Sequence, residues 1–195
     1  SKVESWGGHG VIVHEALPGW ECPPPRRHQR LSVLVVGRLA ADEPTGEVLA
    51  AARALPGCDF AITGEPTRLD PAVRSSAPPN VTFVGFLGKE NYRDRLAASD
   101  AVVTLTTEPT SVMRAAYEAV YARRPVVLSD WPLCAELFPH ALRCSNDSVG
   151  IADALRRLDA DYESMVAKLD VARRRQVARW EGQRRKLEEK IAGSP

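Results

Sequence analysis

Short, almost wholly apolar runs rich in β-branched residues recur along this chain, and each gives way to a stretch with helical spacing. LSVLVVG, starting at Leu31, is the clearest run. A near-continuous apolar segment of that length fits a strand covered on both faces. EVLAAARAL then has a strong helical pattern, closed by Pro56 and Gly57. DFAITG and VTFVGFL are the next strands, separated by a Pro-rich loop, and NYRDRLAASD is helical. AVVTLTT, SVMRAAYEAVYA, PVVLSD, WPLCAELF and SVGIADALRRL continue the alternation of strand and helix. Strands with so little polar alternation need helices on both faces, so the pattern predicts an α/β fold with a doubly wound parallel sheet.

The two ends of the chain read differently. Residues 1–16 finish in a β-like run, VIVHEA, and pass into LPGWECPPPRRHQR, whose Pro and Arg content suits a stiff, extended linker. Residues 1–30 therefore read as the end of an upstream domain plus a linker. Residues 31–160 form the α/β domain. Residues 161–195 are expected to be one long helix, on which Tyr162, Met165, Val166, Leu169, Ala172, Trp180, Leu187 and Ile191 recur at helical spacing.

Charge narrows the functional classes. The net charge is +1, which argues against bulk nucleic-acid binding. The asymmetry is local: residues 173–190 carry eight Lys or Arg and three Glu, a net of +5. No signal peptide is visible, and no apolar run approaches the ~20 residues of a membrane span. The four cysteines (22, 58, 134 and 144) lack metal-ligand spacing, so they are expected to be free thiols in a reducing, cytoplasmic compartment, with Cys58 and Cys134 as small core residues. No cofactor or metal is called for.

In parallel sheets of this kind, ligands bind beyond the carboxyl ends of the strands. Gly37 and Arg38 follow the first strand, Gly64 the second, Gly85 and Phe86 the third, and Glu108 to Ser111 the fourth. A helix beginning near Ser111 would offer free N–H groups and a positive dipole end to a phosphate. Ser111, Arg114 and Glu118 are spaced by three and four and share a face of that helix. They can present a cation to a diphosphate and a carboxylate to a hydroxyl, or they can form an ordinary surface pair. Arg38 can fork onto a phosphate or remain a solvated loop residue. His28 and His140 read as structural or solvated. No P-loop, Gly-x-Gly-x-x-Gly or Gly-x-Ser-x-Gly motif is present.

The order VLVVGRL, AITGE, NVTFVGFL, RLAASDAVVTLT, YEAVYARRPVVLSD and IADALRRL resembles the C-terminal, nucleotide-sugar-binding domain of retaining GT-B glycosyltransferases over about residues 31–160. The resemblance implies a Rossmann-like sheet, a nucleotide-diphosphate sugar as donor substrate, and an acceptor-binding domain upstream. It places Arg38 on the diphosphate and Glu118 on the ribose. It sets Thr110, Ser111, Val112 and Met113 along the donor and the base near Gly64, Gly85 and Phe86. In membrane-associated members the basic terminal helix docks on anionic lipid.

Four positions depart from the family pattern. Glu43 stands where a diphosphate-binding lysine is expected, Thr110 where the first of two glutamates is expected (Glu108 is close by), Ser111-Val112-Met113 replaces Gly-Phe-Gly, and Trp131-Pro132 replaces a Gly-rich loop. Loss of the lysine removes a charge-assisted contact of about 1.5–3 kcal/mol. The site expected from the sequence is therefore a variant one, built on Arg38, the helix start at Ser111, Arg114 and Glu118. Two other readings stay open: a degenerate domain that scaffolds or regulates a partner, and a nucleotide-sugar epimerase, whose catalytic histidine or acid set is not visible.

Overall fold

A computed structural model describes residues 13–15 and 20–192. The SWGGHG segment and His9 lie outside the described residues, as does part of VIVHEA; Val13, His14 and Glu15 are in irregular backbone rather than a strand.

Six parallel strands form one sheet: β1 (Leu31–Val35), β2 (Cys58–Thr63), β3 (Val81–Gly85), β4 (Ala101–Thr104), β5 (Val126–Ser129) and β6 (Leu142–Cys144), in the order β3-β2-β1-β4-β5-β6. The helices are α1 (Thr45–Arg53), α2 (Pro71–Ser75), α3 (Lys89–Ala97), α4 (Arg114–Tyr121), α5 (Pro132–Leu137), α6 (Ser148–Ala160) and α7 (Tyr162–Ala192). The order reverses between β1 and β4, which opens a crevice at the carboxyl ends of the strands.

The apolar runs are doubly covered for a simple geometric reason. Successive side chains of a strand point to opposite faces. Leu31, Val33 and Val35 enter one core with Val103, Val127, Val48 and Leu155, while Leu34 and Val36 enter the other with Val102, Leu128, Val120 and Phe138. The doubly wound α/β fold and the long terminal helix thus match the sequence pattern. β6 and α2 were not anticipated; both are short and lie in segments rich in polar or Pro residues.

Two expectations are corrected. The first concerns the linker. It is extended, but it is packed rather than free: Cys22 is buried in the second core, and Trp20 packs against it. Arg124, with no exposed surface, donates to the carbonyls of Pro23 (3.1 and 3.2 Å), Ala122 (2.7 Å) and Ala97. Asp100, equally buried, accepts from the backbone N–H groups of His28 (3.0 Å) and Ser32 (2.8 Å) and meets the His28 ring at 2.9 Å. A buried charge persists only when surrounded by such partners, and all of them except Ala122 come from residues far away in sequence.

The long helix α7 is as expected. Only the first half of its stripe is covered: Tyr162, Leu169 and Ala172 are buried, but Leu187 and Ile191 are exposed. Gln176, a polar residue, is buried in line with them because its Nε2 donates to the Leu137 carbonyl at 3.0 Å.

The other correction is the helix expected from Ser111. α4 starts at Arg114, with Met113 in extended backbone before it and no side chain capping it. Ser111 instead closes a turn, its N–H donating to the Glu108 carbonyl at 3.1 Å.

Candidate functional site

The loops after β1, β2 and β3 enclose a cleft of about 320 Å³ whose wall includes Gly37, Arg38, Gly64, Arg68, Phe86 and Tyr92. Backbone geometry forces this proximity. Gly64 has φ +101, and a Cβ there would lie 2.8 Å from the Arg38 carbonyl carbon and 2.9 Å from Leu39 Cγ. Only glycine allows the β1 and β2 loops to close together at this point. Buried Thr63 fastens them further: its Oγ1 accepts from Gly37 N–H (3.0 Å) and donates to Gly37 O (2.9 Å). The β2–β3 register shifts between Ile62 and Thr63, pairing Thr63 with Gly85, which has φ +72.

Several groups here have no use inside the fold. Phe86 is 87% exposed beside the cleft. An aromatic ring of this size ordinarily buries much of its surface, so Phe86 offers a face on which a planar group can stack. Among the described residues, the guanidinium groups of Arg38 and Arg68 have no hydrogen-bond or ion-pair partner, and both line the cleft.

The β4 side is arranged differently. Glu118 is largely buried and already engaged: Arg114 Nε donates to Oε1 at 3.0 Å, and the Tyr92 hydroxyl donates to Oε2 at 2.6 Å. Burial, then the Glu118 carboxylate, drives the Tyr92 phenol far above its ordinary pKa, so it remains a donor. Tyr92 therefore links Glu118 to the cleft wall. Arg114 is mostly exposed and also lies 3.4 Å from Glu15. It is outside the cleft lining, as are Thr110, Ser111, Val112 and Met113. The loop that carries them is anchored by Thr107 N–H on the Asp42 carbonyl (2.8 Å). Just before it, the Thr106 carbonyl takes donors from Trp131 Nε1 (2.8 Å) and Asn146 Nδ2 (2.9 Å).

Of the residues expected from the sequence, the structure thus gathers Gly37, Arg38, Gly64 and Phe86 in one cleft. Gly85 is adjacent, and Glu118 is joined through Tyr92. Tyr92 and Arg68 were missed, the first because it sits within a polar helix and the second because it ends an unremarked turn, Pro66–Arg68. Among the described residues, no group of three or more His, Cys, Asp or Glu side chains could hold a metal, and no helix is long and apolar enough to cross a membrane. The cysteines are free and buried. His140 is partly buried, and its pKa falls to about 4 mainly through burial, so it is neutral.

Sheet order, flanking helices and strand-end cleft define a Rossmann-like α/β domain. Residues 30–161 match the family of glycosyl transferases group 1, and the chain belongs to that family. No curated protein sequence matches the chain. Among solved structures, it is similar to sucrose-phosphate synthase from Thermosynechococcus elongatus (TM-score 0.66, 23% identity, 84% of this chain and 45% of that one). It is also similar to Anabaena HepE, solved in complex with UDP and glucose (TM-score 0.72, 18% identity, 85% of this chain and 49% of that one). A third is the catalytic domain of cholesterol-α-glucosyltransferase from Helicobacter pylori (TM-score 0.60, 11% identity, 76% and 98%). The chain spans about half the length of the first two.

Proposed function

We propose that this chain is the donor-binding half of a retaining glycosyltransferase that uses a nucleotide-diphosphate sugar, with the acceptor-binding half in a separate upstream domain. The cleft carries the proposal: it combines two arginines without a partner among the described residues, one on each of two strand-end loops, with an exposed aromatic ring. Phe86 stacks on the base, near Gly64 and Gly85, and Arg38 and Arg68 take the phosphates. Glu118 accepts a ribose hydroxyl in exchange for one of its present donors. Family membership and the UDP complex of HepE support this reading. Arg114, paired with Glu118, adds a cation for the diphosphate, and Thr110 to Met113 run along the donor. Titration calorimetry with UDP, GDP and ADP tests the proposal: one of the three binds the wild-type chain, and failure of all three removes it.

The second reading, a non-catalytic scaffold or regulatory domain, is favoured by Glu43 at the cation position. It predicts no nucleotide binding in the same titration. A cytoplasmic protein touching anionic membrane through α7 is proposed as well, because the exposed half of that helix is basic; packing of this face on the missing domain is the competing reading. Co-sedimentation with phosphatidylserine vesicles that falls with salt supports lipid contact, and no sedimentation at low salt excludes it.

A further inference from the structure

Glu43 lies beside the cleft, against the loop that carries Gly37 and Arg38. Its carboxylate folds back over the loop after β1 and accepts from three consecutive backbone amides: Arg38 N–H (3.0 Å to Oε1, 2.9 Å to Oε2), Leu39 N–H (2.7 Å) and Ala40 N–H (3.3 Å). Leu39 adopts a left-handed conformation, φ 59, which no neighbouring glycine requires of it. That turn aims the successive N–H groups at one point and makes a concave anion cradle. A carboxylate is the stand-in anion inside it. The approach is so close that a Cβ on Gly37 would fall 2.4 Å from Glu43 Oε2. Gly37 is therefore the residue that leaves room for the occupant.

The cradle borders the cleft, since the amides of Arg38 belong to its wall and the Arg38 guanidinium has no partner among the described residues. A phosphate entering here would find the amides already taken and a negative charge in the way. We infer that the loop from Gly37 to Ala40 is a phosphate site that the chain fills with its own Glu43, so that this carboxylate must leave before an external anion occupies the amides. Glu43 thereby sets the ligand class of the cleft: with it in place, a diphosphate is held by the arginines alone.

The inference deepens the nucleotide reading, yet its test uses inorganic pyrophosphate, which has no base, so the two fail separately. Calorimetry and amide NMR are recorded for wild type, Glu43→Ala and Glu43→Gln. The alanine variant is expected to bind pyrophosphate at least tenfold more tightly than wild type, with the amide signals of Arg38, Leu39 and Ala40 moving on addition. The glutamine variant keeps an acceptor for the loop but no charge, and is expected to gain less, about threefold. If the alanine variant does not fold, the glutamine variant decides the matter. Pyrophosphate affinity unchanged in the folded variants, or shifts confined to other residues, would overturn the inference and leave Glu43 a loop staple. Gained pyrophosphate affinity with no nucleotide binding in any variant would keep the cradle and remove the nucleotide reading.

Discussion

The two ends of the sheet use the same residue types to opposite effect. At the amino end, Asp100 and Arg124 are completely buried, and each is tied to the segment before β1, Asp100 through His28 and Arg124 through Pro23. At the carboxyl end, Arg38 and Arg68 stand in the cleft wall without partners among the described residues. Charges at the first end are satisfied inside the fold and hold the chain together. Those at the second are solvated and available to a ligand. The difference is one of desolvation: a buried ion without partners costs several kcal/mol, whereas a solvated one costs little.

The comparison can be broken most forcefully at Asp100. Asp100→Ala leaves the backbone N–H groups of His28 and Ser32 without their acceptor, and the stability loss is expected to be about 3–5 kcal/mol, read as a lower urea midpoint. A variant that unfolds at the wild-type midpoint would show that the amino end is not the clamp. Arg38→Ala is the converse case. Its stability should stay within about 0.5 kcal/mol of wild type, while affinity for the bound nucleotide falls about tenfold, or 1.4 kcal/mol. A large stability loss with unchanged binding would erase the distinction between the two ends.

A further effect is a pH slope. His140 is neutral in the fold because burial lowers its pKa to about 4. Once unfolded, the ring recovers a pKa near 6.5 and takes up a proton that the native state refuses. Stability contributed by this group is therefore full above about pH 6.5, falls as the pH drops toward 4, and changes no further below that. His140→Gln should flatten that part of the pH–stability curve; an unaltered slope would assign it to other groups.

The alternation of VLVV, AIT, VTFV, AVVT and VVLS with helical segments was enough to place five of the six strands, since strands covered on both faces must be apolar throughout. Polar or short elements left no such trace, which is why β6 and the late start of α4 were not legible. The glycines and Arg38 could be placed at strand ends by counting, but Tyr92 could not, because its link to Glu118 spans 26 residues.

Local periodicity settles the sheet, its covering helices and the set of loops in which a ligand site could lie. Which charges are structural and which are free was decided only by the tertiary structure. Glu43 is the sharpest case. In the sequence it reads as a repulsive substitution for a cation. In the fold, a left-handed Leu39 and a side-chain-free Gly37 turn it into the loop's own anion. Residue identity says how much charge is present; only the folded backbone decides which amides that charge meets.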